Sequence, residues 1–153
     1  MARKNPQPPR AIGRALNFAA GRTTALCQHL LDPHDLSLPQ WVILSCLWRE
    51  EDLTLGALAD LVGTGLPAMS RIVDRMVDRG LVTREQSDAD RRVIVVKPTG
   101  KANGLRHLSD FHQRINDLIF KGFSPEEQAL AFSLLARMQL NAETALDEAQ
   151  AAV

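Results

Sequence analysis

Four arginines are the residues of this chain best suited to do chemistry. Arg71 and Arg75 lie one helical turn apart, and Arg91 and Arg92 are adjacent in Asp88-Ala89-Asp90-Arg91-Arg92. Arginine carries a permanent charge on a planar fork that fits phosphate oxygens and guanine edges. The spacing of Met69, Ile72, Val73, Met76 and Val77 predicts a helix with one apolar stripe, and Arg71 and Arg75 fall on the opposite side. Arg91 and Arg92 sit between two β-prone runs, at the tip of a predicted hairpin. A helix that fits the major groove, followed by a basic hairpin that reaches the next minor groove, predicts binding to duplex DNA. Arg75 and Arg79 each follow an aspartate, so a salt-bridge lattice on the helix surface is an alternative role for both. No nucleophile–base pair, Gly-rich phosphate loop or metal-ligand cluster is present, so neither an enzyme nor a cofactor is expected.

These arginines need a frame, and the apolar pattern supplies one. Met1 to Pro9 is polar and Pro-rich, and reads as a flexible arm. A helix is predicted from Arg10 to near Leu31, ending before Asp32-Pro33. Ser37 is the N-cap of a second helix to about Arg49, with Pro39 in its first turn and Gln40 completing a capping box. That helix is apolar nearly all round and should be central. Glu50-Glu51-Asp52 is an acidic turn. Leu53-Thr54 is a minimal strand, and Thr54 caps a helix over Leu55 to Val62. Gly63-Thr64-Gly65 turns into the arginine-bearing helix, which Gly80 stops. Two helices joined by a Gly-containing turn make a helix-turn-helix. Leu81 to Gln86 and Val93 to Val96 are the hairpin strands. Thr99 caps a predicted long helix whose seam is Leu105, Leu108, Phe111, Ile115, Leu118 and Ile119. Ser124-Pro125-Glu126-Glu127 opens a last helix to about Asp147. The expected fold is mainly α, a winged helix-turn-helix with a small β wing. Residues 37–97 would form the DNA-reading region. Residues 10–36 and 98–153 carry apolar seams longer than that region needs, which predicts a helical homodimerisation region interwoven with it.

The 153-residue chain has formal net charge zero, with 45% hydrophobic and 24% charged residues. The distribution matters more than the total. Arg71 to Lys101 holds eight basic residues against five acidic ones, whereas Asp32 to Ser70 holds one against six. A positive face on a neutral protein follows. No apolar run approaches the roughly 18 residues of a membrane span, and the basic N-terminus lacks a signal-peptide core. No membrane partner and a cytoplasmic location are expected. Cys27 and Cys46 form no CxxC pair and read as small core hydrophobes rather than redox sensors. His107 and His112, five apart, point about 140° from each other on a helix, a poor arrangement for a shared metal.

The strings Leu36-Ser37-Leu38-Pro39-Gln40-Trp41, Met69-Ser70-Arg71-Ile72-Val73-Asp74-Arg75, and Asp88-Ala89-Asp90-Arg91-Arg92 followed by Val93-Ile94-Val95-Val96 resemble the MarR family of bacterial transcription regulators. The resemblance spans roughly Arg10 to Leu146 in element order. It implies a homodimeric winged-helix regulator of a pseudo-palindromic duplex operator, usually responsive to a small effector. It implies that Arg71 reaches base edges or phosphates, that Ala68 and Ser70 lie close to DNA, and that Arg92, with Arg91, enters the minor groove. Asp90 would orient Arg92 by a salt bridge. An effector pocket would draw on Phe18, Arg22, His29, Trp41 and Phe111. Leu66-Pro67-Ala68 departs from the family, which often has phosphate-binding hydroxyls there. Two other readings stand beside a sequence-specific repressor: a DNA-architectural protein of low specificity, and a protein-interaction module that has lost DNA binding.

Overall fold

The computed structural model describes residues 11–50, 53–87 and 90–152. The predicted N-terminal arm, Glu51-Asp52 of the acidic turn and Asp88-Ala89 of the hairpin tip lie outside the described residues. The chain divides into two compact units, residues 1–112 and 113–153.

In the first unit, α1 spans Ile12–Leu31 and buries only Cys27 and Leu31. A 3₁₀ turn, Asp32–His34, follows, and Asp35 closes it in the left-handed region at φ 53°. Aspartate tolerates this conformation better than most residues. Gln28 stitches the turn to the helix beyond it. Its Nε2 donates to the Leu36 carbonyl at 3.0 Å and to Asp32 Oδ1 at 2.8 Å, and its Oε1 accepts from the Leu38 N–H at 3.1 Å.

Helix α2, Leu38–Arg49, begins with the predicted capping box: Ser37 Oγ accepts from the Gln40 N–H, and Gln40 Oε1 accepts from the Ser37 N–H at 3.0 Å. It is the central helix, with Ile43, Leu44 and Leu47 fully buried. Strand β1 (Leu53–Thr54) leads into α3 (Leu55–Val62), capped by Thr54 Oγ1 on the Ala57 N–H at 3.0 Å. Gly63 ends α3 at φ 68°, and α4 runs Leu66–Asp78. Met69, Val73 and Met76 of α4 are fully buried, which fixes the helix by its inner stripe.

Gly80 sits at φ 65°, with its N–H on the Val77 carbonyl at 2.8 Å and the Leu81 N–H on the Met76 carbonyl at 2.9 Å. This pair of bonds is the Schellman motif, which satisfies orphan carbonyls at the end of α4. A Cβ at Gly80 would meet nothing within 4 Å, so only the backbone conformation resists substitution. Gly80→Ala should therefore lower stability by about 1–2 kcal/mol, read as a shifted urea midpoint. An unchanged midpoint would mean that the turn relaxes out of the left-handed region.

Strands β2 (Val82–Gln86) and β3 (Ile94–Pro98) form an antiparallel hairpin, with Val82 opposite Pro98 and Gln86 opposite Ile94. Strand β1 pairs with the other edge of β3, giving the order β1-β3-β2. Val82 and Val96 anchor the sheet in the core.

The long helix predicted from Thr99 is not continuous. It is broken into α5 (Gly100–Asn103), a 3₁₀ turn (Arg106–Leu108) and α6 (Phe111–Ile119). Gly100, Asn103, Gly104, Ser109 and Asp110 are weak helix formers. The Leu108 carbonyl is bonded by the indole Nε1 of Trp41 at 2.9 Å, and Phe111 packs edge-on against the same ring at 5.0 Å between centroids. Thr99 does cap, but only the short α5, through the Ala102 N–H.

In the second unit, α7 runs Pro125–Ala151, four residues past the predicted end. Ser124 and Glu127 form its capping box. Phe120 packs on Phe123 and Phe132 at 5.6 and 5.3 Å between centroids. No residue of α7 is buried, although Leu130, Phe132, Leu135 and Leu140 are all apolar. Among the described residues no helix is long and apolar enough to cross a membrane.

Candidate nucleic-acid interface

The outer face of α4 follows from its inner one. At about 100° per residue, Pro67, Ala68, Arg71 and Arg75 fall opposite Met69, Val73 and Met76, and all four are exposed. Neither Arg71 nor Arg75 makes a side-chain hydrogen bond or ion pair among the described residues, so both guanidinium groups face solvent without a carboxylate partner. The salt-bridge alternative thus divides: among the described residues Arg75 makes no ion pair, while Arg79 is engaged away from its own helix.

Arg79, the C-cap of α4, donates Nη1 to Gln40 Oε1 at 2.8 Å and Nη2 to the backbone carbonyl and carboxylate of Asp35. Lys101 Nζ donates to the Arg79 carbonyl at 2.9 Å. Gln40 is buried, so its one amide oxygen serves both the α2 capping box and the end of α4. This anchor fixes where α4 ends relative to α2.

Ser70 is half-buried, and Arg84 of β2 takes it. Arg84 Nη2 donates to Ser70 Oγ at 3.1 Å and to the Ser70 carbonyl at 3.2 Å, and pairs with Asp74 Oδ1 at 2.9 Å. The hydroxyl expected near DNA is therefore held by the protein. Sequence reading missed Arg84 and Asp74. The available signal was weak: a basic residue on an alternating edge strand, with Ser70 and Asp74 one turn apart. Arg84 neutralises Asp74 beside Arg71 and Arg75. Arg84→Ala should leave Asp74 repelling phosphate and weaken duplex binding about fivefold, equivalent to ~1 kcal/mol for an exposed pair. Arg84→Ala/Asp74→Ala should recover most of that loss. A double variant no better than the single one would assign Arg84 a different role.

At the hairpin tip, Asp90 Oδ1 accepts from the Arg92 backbone N–H at 2.9 Å, and the Val93 N–H bonds the Asp90 carbonyl at 2.9 Å. Asp90 thus holds the backbone on which Arg92 stands; the expected contact with the guanidinium is replaced by one with the main chain. Arg91 and Arg92 are exposed. Lys97 and Glu85 pair across the strands at 3.1 Å and brace the hairpin.

The five residues expected around an effector do not share one environment. Trp41 and Phe111 pack together in the core. Phe18, Arg22 and His29 lie on one exposed stripe of α1, opposite buried Cys27 and Leu31. Arg14 lies over the Phe18 ring at 5.4 Å. Burial pushes the Cys27 thiol up from its ordinary value, and the partly buried Cys46 thiol likewise. Both are therefore held as thiols rather than as reactive thiolates.

A helix-turn-helix with two exposed arginines outward, followed by an arginine-tipped antiparallel wing, defines the winged helix-turn-helix class. Residues 36–94, which carry the helix-turn-helix and most of the wing, match the MarR family model. Solved structures agree in fold. A MarR protein from Peptoclostridium difficile has a TM-score of 0.78 at 19% identity, over 94% of each chain. A mutant MarR from E. coli complexed with operator DNA has 0.77 at 23% identity, over 83% of this chain and 92% of that one. Bordetella bronchiseptica BpsR, described with regulation of its DNA binding by 6-hydroxynicotinic acid, has 0.77 at 24% identity, over 85% and 94%.

Proposed function

We propose that the protein is a sequence-specific duplex-DNA-binding transcription regulator, acting in the cytoplasm as a homodimeric repressor whose DNA affinity responds to a small molecule. The observation that carries the DNA reading is the pair of exposed guanidinium groups of Arg71 and Arg75, without a partner among the described residues, on a helix pinned by its buried stripe. Arg71, Arg75, Arg91 and Arg92 neutralise phosphates and read the grooves, Ala68 and Ser70 lie at the helix start, and Asp90 sets the wing. The E. coli relative bound to operator DNA supports the same use of the same fold.

The dimer reading draws on apolar surface left uncovered in one chain. On α1, Ile12 and Phe18 are about 60% exposed, and on α7, Leu130 and Leu140 are 57% and 62% exposed. Apolar surface on this scale marks an interaction face. Residues 10–36 and 98–153 would form the dimerisation region, and 37–97 the DNA-reading region. A dimer sets two recognition helices one turn of DNA apart, roughly 34 Å. An effector would act by changing that separation. Of the residues expected around it, we assign Phe18, Arg22 and His29, which share the exposed stripe of α1, to its site, and leave Trp41 and Phe111 to the core.

The test is fluorescence anisotropy on the duplex upstream of the protein's own gene against a scrambled duplex, at two salt concentrations, with sedimentation to count protomers. A preference of about a hundredfold at one dimer per site supports the regulator. Equal, steeply salt-dependent binding to both duplexes would replace it with an architectural protein. Absence of binding to either would favour an interaction module.

A further inference from the structure

We propose that the first turn of α4 reads thymine methyl groups, so that the preferred site carries T·A pairs where Pro67 and Ala68 enter the major groove. This rests on the duplex-binding reading above and specifies which base edges the helix selects. Pro67 and Ala68 share the outer face of α4 with Arg71 and Arg75, and both are exposed. On that face Ala68 lies one turn from Arg71, and Pro67 lies four residues before it. Guanidinium groups that hold phosphates or guanine edges would bring this apolar turn against the bases beside them.

The chemistry of that turn is restricted. Gly65, the N-cap, has no side chain and makes no capping bond. Leu66, 52% exposed, Pro67 and Ala68 carry no side-chain donor or acceptor. Pro67 also lacks a backbone N–H. The first hydroxyl along the helix, Ser70 Oγ, is taken by Arg84 at 3.1 Å. Donor and acceptor patterns of adenine, guanine or cytosine therefore have no side-chain counterpart here. In the major groove the one apolar group on a base edge is the thymine 5-methyl. A cytosine amino group set against the Pro67 and Ala68 side chains would lose water and gain no acceptor. Selection then comes from the gain at thymine and the penalty at the other bases together.

The test uses the full chain and a duplex selected by it from a random-sequence library. That duplex is compared with the same sequence in which deoxyuridine replaces thymidine, which keeps the pairing and deletes the methyl. Burial of one methyl corresponds to about a fourfold change in affinity, so loss of one methyl in each half-site should weaken binding roughly fifteenfold. In Pro67→Ser/Ala68→Ser, serine being acceptable in a first helical turn, the discrimination between thymine and uracil should collapse towards one. Thermal melting of the variant checks that it is folded. Equal binding of the two duplexes would overturn the inference and leave the DNA-binding reading intact. Discrimination that persists undiminished in the folded double variant would place the methyl contacts elsewhere and also overturn it. Failure to bind any library member would overturn the DNA-binding reading itself.

Discussion

Replacing both Arg71 and Arg75 with alanine is expected to weaken binding to a selected duplex by about a hundredfold for each bound protomer, from roughly 1–1.5 kcal/mol per lost contact. Both side chains are exposed and without a partner among the described residues, so the fold gives up no hydrogen bond or ion pair when they go. Their removal also relieves a like-charge pair one helical turn apart, a stabilising change of a few tenths of a kcal/mol at most. The thermal midpoint should therefore hold or rise slightly while affinity falls. The salt dependence should become shallower by about two in the log–log slope for each bound protomer, if both arginines neutralise phosphates. Affinity unchanged in the double variant would remove α4 from the interface, whatever the fold.

The largest expected loss of stability comes from the other side of the same helix. Met76 is fully buried, and Met76→Ala should cost about 2–5 kcal/mol through lost burial and the cavity left behind. Urea unfolding at fixed protein concentration should show a lower midpoint with an unchanged slope. A cost below about 1 kcal/mol would mean that the inner stripe collapses around the smaller side chain. In that case it does not fix the outward direction of the arginines. The two variants separate the faces of α4: one carries affinity and the other carries position.

Much of this was legible in the residues because the signals are local. Ser37 with Gln40, Thr54 before Leu55, and Ser124 with Glu127 mark helix starts within four residues, and each makes the expected bond. Gly80 marks the end of α4 for an equally local reason. The segment after Thr99 was misread because Leu105, Leu108, Phe111 and Ile115 keep a helical spacing across two breaks. One of those breaks involves Trp41, 67 residues away, whose indole uses a carbonyl that a continuous helix would need. Arg84 escaped notice for the same kind of reason: its partners Ser70 and Asp74 precede it by 14 and 10 residues, and only the return of β2 beside α4 brings them together. Arg79 and Asp35 are farther apart still. Helix ends and inner faces are properties of a short window, whereas clamps between elements are properties of the fold.

Both tryptophans, Trp41 and Trp48, lie on α2, and both are at least nine-tenths buried. The chain has no tyrosine, so nearly all of its ultraviolet emission comes from one helix. That emission should be blue-shifted in the native state and move to the red as the first unit opens. Helix α7, 27 residues long and without either chromophore, is invisible to it but contributes strongly to far-ultraviolet circular dichroism. The protein thus carries two optical probes of different reach: the tryptophans report the first unit alone, and dichroism reports the helices of both. Denaturation curves that coincide would show the units melting as one, and curves that separate would measure how independently each stands.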